Sequence, residues 1–225
     1  MEPTPLPQPV PRRLLPVLSW FLCVVCLLVF LRHAGTEVPD RLLLDGRAIA
    51  DGQWWRAVLS SVEHLNPWHL LLNLALLFWF GPLVEQQVGS ARLLVATVVA
   101  VVAGSALALT LTFGFRAAGA STILAGWLGL ALPIALPRRR RVLLQWTVFL
   151  VLVSLVPGAS PAAHVGSFLS GLLMGLLIRE GSRSRPEARF HWFDRFAPAL
   201  AALAGGGVWL AVRLHTALPP VTLPA

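Results

Sequence analysis

The stretch Pro67-Trp68-His69-Leu70-Leu71-Leu72-Asn73-Leu74 opens an apolar run that continues to Val84, and its reading decides the fold class. As a helix the run is long enough to cross a hydrocarbon core of about 30 Å. It does not alternate apolar and polar residues, as a strand of a membrane barrel would. Two polar residues interrupt it, His69 and Asn73. They stand four apart, so a helix puts them on one face with Asn73 about one turn deeper.

Working outward, comparable runs lie at about 14–31, 93–113, 119–136, 142–157, 163–178 and 197–213. Of the 225 residues 56% are hydrophobic and 12% charged, against about 45–50% and about 25% in soluble domains. A chain of this kind satisfies its backbone in lipid as a helix bundle. The sequence therefore predicts an all-α membrane protein of seven helices. Gly205-Gly206-Gly207 makes the last helix the weakest by propensity. No internal repeat is evident. The expected organisation is a Pro-rich, disordered cytoplasmic tail over 1–12, a transmembrane core over 13–179, and over 180–225 a cytoplasmic linker, the seventh helix and a short outer tail.

The net charge is +8, and all 18 basic residues are arginine. They sit in connectors between apolar runs, where membrane topology explains them better than nucleic acid does. With the N-terminus inside, twelve fall on the cytoplasmic side and six on the other: Arg32, Arg41, Arg47, Arg56, Arg116 and Arg213. The connector Pro137-Arg138-Arg139-Arg140-Arg141 is the firmest marker. Absence of lysine and short connectors suit a bacterial inner membrane. Cys23 and Cys26 share the first run and suggest neither a disulfide framework nor a metal site.

Ionisable and polar groups inside apolar runs are costly and point to function. The second helix carries His69 and Asn73, the fourth begins Gly119-Ala120-Ser121-Thr122, and the sixth begins Ala163-His164. In this topology those helices run from the outer to the inner face, so Ser121, His164, His69 and Asn73 are expected at similar depth near the outer surface. A serine becomes a nucleophile when a neighbouring base takes its proton, and His164 can be that base. Asn73, His69 and the Ser121 backbone N–H can donate to an oxyanion. No carboxylate stands at this level, which favours a Ser–His dyad over a triad.

At these residues the chain resembles the rhomboid family of intramembrane serine proteases. The resemblance rests on Trp54-Trp55-Arg56, then His64, His69 and Asn73, then Phe80-Gly81 with Glu85, Gly89 and Arg92. It continues through Gly119-Ala120-Ser121 with Gly126 and Gly129, and Ala163-His164 with Gly171, over about residues 50–178. It implies a rhomboid-like six-helix bundle plus a seventh C-terminal helix, cleaving the transmembrane segments of other membrane proteins near the outer face. Ser121 would be the nucleophile, His164 the base, and His69 and Asn73 the oxyanion donors. Trp55 and Arg56 would belong to a loop lying partly in the membrane. The implied partners are transmembrane protein substrates and the lipid bilayer, with no nucleic acid, metal or organic cofactor. Oligomeric state is not legible.

Other residues take structural readings. His64 would hydrogen-bond the outer loop, Glu85 would partner inner-loop groups, and Gly171 with Gly175 would serve helix packing. His33, His191 and His215 take no role. Thr122 stands where many rhomboids have glycine and Ser167 where close helix packing often uses it, which keeps a non-catalytic, helix-binding relative as an alternative. A small transporter is a weaker one, since transporters are built from repeats.

Overall fold

A computed structural model of the chain describes residues 15–32, 42–135, 137–154, 159–184 and 188–217. The tail 1–12, residues 33–41 of the polar connector, the end of the fifth run at 155–157 and the outer tail from 218 lie outside the described residues. The elements are α1 (Val17–Arg32), α2 (Gly46–Ala50), α3 (Arg56–Leu59), a 3-10 turn (Ser60–Val62), α4 (Pro67–Val88), α5 (Ser90–Leu111), α6 (Ser121–Ile134), α7 (Pro137–Ser154), α8 (Pro161–Ser184) and α9 (His191–Ala217). The described residues form no strand, only an isolated bridge between Leu44 and Ala117.

Each apolar run has become a helix, and capping chemistry sets the bounds of α4. The α4 helix opens on Asn66, whose side chain accepts from the His69 N–H at 2.9 Å, with Pro67 in the first turn where its missing N–H costs nothing. It outlasts its apolar run through Glu85 to Val88 and stops at Gly89, whose φ of +83° suits a residue without Cβ. The α9 helix passes unbroken through Gly205-Gly206-Gly207. By length and composition α4, α5, α8 and α9 can each cross a membrane, while α1 and α6 are shorter apolar helices. The chain is an all-helical integral membrane protein.

The central helix is α6, buried from Ile123 to Ala131. It packs closely against α8. A Cβ on Gly171 would strike the Gly126 carbonyl, one on Gly129 the Phe168 carbonyl, and one on Gly175 the Leu130 carbonyl. Gly171 and Gly175 therefore serve internal packing. The opposite side of α8 lies as tightly on α5, where a Cβ on Gly166 would come 2.7 Å from the Ala103 carbonyl. Small residues let helix backbones meet where lipid supplies no hydrophobic drive between them. Polar contacts add direction, as where Trp127 Nε1 donates to Thr97 Oγ1 at 2.8 Å, both buried.

The connector expected as a polar loop holds α2, α3 and the 3-10 turn. Its anchor is Arg56, which is buried and donates from NH1 to the Leu43 carbonyl at 3.0 Å and from Nε to Gln53 Oε1 at 2.8 Å. Ser105 of α5 donates to the Ala57 carbonyl at 2.8 Å. Trp55 starts α3 and, with Trp54, stays exposed. Glu85 differs in part from its expected role. It caps the start of α1, accepting from Leu18 N (2.8 Å), Ser19 N (2.9 Å) and Ser19 Oγ (2.6 Å), and it also accepts from Ser90 Oγ at 2.6 Å.

Candidate active site

Ser121 is the first residue of α6. The strand-like segment leading to it is tied down on both sides. Leu44 N donates to the Ala117 carbonyl at 2.9 Å, and Gly119 N donates to the Ser60 carbonyl at 2.9 Å. Gly119 has a φ of +130°, and a Cβ there would lie 2.5 Å from His69 Cε1. Only glycine both adopts this backbone and leaves room for the His69 ring. At fourteen residues α6 is about 21 Å long, short of a hydrocarbon core of about 30 Å.

His164 lies in the first turn of α8, brought to the same level by the glycine-lined crossing of α6 and α8. Its Nε2 is 2.8 Å from Ser121 Oγ, and its Nδ1 is 2.6 Å from Ser154 Oγ at the end of α7. His164 is buried. His69 stands across from it on α4, with His64 packed on its ring at a centroid distance of 5.1 Å. His64 Nε2 accepts from Ala120 N at 3.4 Å, so this ring braces the start of α6 rather than the outer loop alone. Desolvation by burial, and then the neighbouring His69, push the His64 imidazole down to about 4, so it is neutral at pH 7.

Ser121, His164 and His69 line a cavity of about 220 Å³ together with Ser60, Asn66, Ser105, Gly119, Thr122 and Ser160. Asn73 is not part of that lining. Its Nδ2 donates to the His69 carbonyl at 2.8 Å, and its side chain faces a second, apolar cavity of about 70 Å³. That cavity reaches Ser121 between Leu72, Leu76 and Phe80 of α4, Leu124 of α6, and Trp146, Phe149 and Leu150 of α7.

The two departures from the expected glycines are accommodated. Thr122 Oγ1 donates to the Gly119 carbonyl at 3.2 Å and leaves Ser121 open to the cavity. Ser167 is fully buried, its Oγ pressed against Gly104 of α5. Ser154 is the residue that sequence reasoning missed. It reads as one more hydroxyl at the end of an apolar run, and its only signal is its place at the same end of the bundle as His164.

These features define a class: an all-helical integral membrane protein in which a serine and a histidine from two helix ends meet in a cavity. A family model, the Rhomboid domain, matches residues 51–181, and the chain belongs to the rhomboid family. It is 30% identical over 165 residues to the rhomboid protease GluP of Bacillus subtilis, covering 67% of this chain and 32% of GluP. With YdcA of the same organism it shares 28% over 186 residues, covering 77% of this chain and 94% of YdcA. With the rhomboid protease GlpG of Haemophilus influenzae it shares 33% over 86 residues, covering 37% of this chain and 45% of GlpG. The chain thus spans about a third of GluP's length and nearly all of YdcA's.

Proposed function

We propose that the chain is an intramembrane serine endopeptidase that cleaves transmembrane segments of other membrane proteins by a Ser–His dyad. The observation that carries this reading is the 2.8 Å contact between Ser121 Oγ and His164 Nε2 inside a cavity. In the reaction, His164 takes the Ser121 proton as Oγ attacks the scissile carbonyl. The oxyanion is met by the Ser121 backbone N–H, at the positive end of α6, by His69, and by the second N–H of the Asn73 amide, the first being held by the His69 carbonyl. His164 then protonates the leaving amine, and water releases the acyl group. Trp55, Arg56, His64, Gly119 and Gly171 are supports in this reading, holding the connector, the entry to α6 and the crossing of α6 with α8.

Membership in a family whose named members include proteases supports the reading. So does the apolar cavity beside α7, a path by which a lipid-borne chain can reach Ser121. The bundle takes a six-plus-one arrangement, with α1 and α4–α8 as the core and α9 as the appendage. The proposed domain bounds are 13–179 for the core and 180–225 for the linker, the seventh helix and the outer tail. The N-terminus is cytoplasmic, the site faces outward, and the setting is a bacterial inner membrane. The partners are transmembrane substrates and the bilayer.

The test is cleavage of a generic rhomboid substrate in liposomes by the wild type, Ser121→Ala and His164→Ala, beside labelling with a fluorophosphonate. The wild type should cleave and be labelled, and each variant should lose at least about 10³-fold in rate. Cleavage that survives Ser121→Ala sinks the site assignment. A wild type that neither cleaves nor labels leaves a helix-binding rhomboid without catalysis.

A further inference from the structure

One buried hydroxyl beside the dyad has no part in the chemistry above. Ser154 ends α7, and its Oγ lies 2.7 Å from the Leu150 carbonyl and 2.6 Å from His164 Nδ1. A hydroxyl has one proton to give. The Leu150 carbonyl can only accept, so it takes that proton, and Ser154 can meet the imidazole only with a lone pair. Nδ1 must then carry the hydrogen. In a neutral ring this leaves Nε2 bare, 2.8 Å from Ser121 Oγ. The four groups form one directed chain, Ser121 O–H to Nε2, Nδ1–H to Ser154 Oγ, and Ser154 O–H to Leu150 C=O.

We infer that Ser154 is a positioning residue for the reaction, fixing the tautomer and the ring plane of His164 from α7; this rests on the protease reading. Ser154 does the orienting work that a carboxylate does in a triad, without a charge. An uncharged acceptor avoids the cost of burying an anion among apolar helices. It also stabilises the imidazolium less, so its share of the rate is that of one hydrogen bond. The orienting group comes from α7, most of whose described side chains are exposed on the outside of the bundle. The base is therefore held in its working tautomer only while the end of α7 is docked on α8.

The test is steady-state cleavage by the wild type, Ser154→Ala and Ser154→Thr, with thermal unfolding of each in the same detergent. Ser154→Ala should lower kcat about tenfold, what one hydrogen bond is worth, with KM changed by less than about twofold. Its melting midpoint should stay close to that of the wild type, and Ser154→Thr, which keeps the hydroxyl, should recover most of kcat. A Ser154→Ala variant with unchanged kcat, beside an active wild type, overturns this inference and leaves the dyad standing. So does a loss of activity that follows a fall in midpoint and is not recovered by threonine. A wild type that neither cleaves nor is labelled overturns the protease reading and this inference with it.

Discussion

His64 couples the site to pH through one ring. It is fully buried, its Nε2 accepts from Ala120 N, and its imidazole is pushed from 6.5 down to about 4. The unfolded chain thus binds this proton more readily than the folded one. The stability in which His64 shares is whole above about 6.5, erodes as pH falls, and is lost by about 4. The melting midpoint in detergent should therefore drop between pH 6.5 and pH 4, and His64→Gln should flatten that slope. An unchanged slope in the variant would assign the acid sensitivity elsewhere. The neighbouring Gly119 was legible in sequence only as part of a Gly-x-Ser pattern. Its reason, a ring lying where a Cβ would be, appears only once α4 is set beside α6.

Among the elements, α1 owes its start to another helix. Its first N–H groups have no partners within the helix. Glu85, from the far end of α4, supplies them, with its negative charge at the positive end of the α1 dipole. Glu85→Gln keeps the shape and removes the charge, and should cost about 2 kcal/mol of stability in thermal or denaturant unfolding. Glu85 lies sixteen residues from His69, about 24 Å along the helix, so the cleavage rate of the folded variant should match the wild type. A variant with full stability would show that the serines and water suffice as a cap. The run around Glu85 was legible as helix; its partner was not, because α1 and α4 are separated by a long connector.

For the whole molecule the arginine bias makes a definite claim about sidedness. Single cysteines at Trp54→Cys and Arg140→Cys report the two faces, with the native Cys23 and Cys26 replaced. An impermeant maleimide should label position 54 in intact cells and position 140 only after permeabilisation. The reverse pattern would invert the bundle. A second whole-molecule feature is α9, which had no assigned partner in the sequence. It packs along α5, with Val208 and Ala211 buried beside Leu44 and Ile49, and His215 Nε2 lies 3.0 Å from the Thr110 carbonyl with its ring stacked on Phe113.

The sequence alone determined that the chain crosses a membrane as helices, because lipid forces every backbone group into a local partner and leaves uninterrupted apolar runs as the visible result. It also singled out Ser121, His164, His69 and Asn73 as candidates, since they stand where solvation gives no reason for them. Only the tertiary structure decided how they meet. Asn73 turns to its own helix and to the apolar cavity, Glu85 serves α1, and Ser154 faces His164. The Glu85 contact depends on the placement of helices distant in sequence, and the Ser154 contact on how the end of α7 meets α8. That geometry is set by close glycine contacts such as Gly126 against Gly171; the spacing of Gly171 and Gly175 marks a packing face but not which helix covers it.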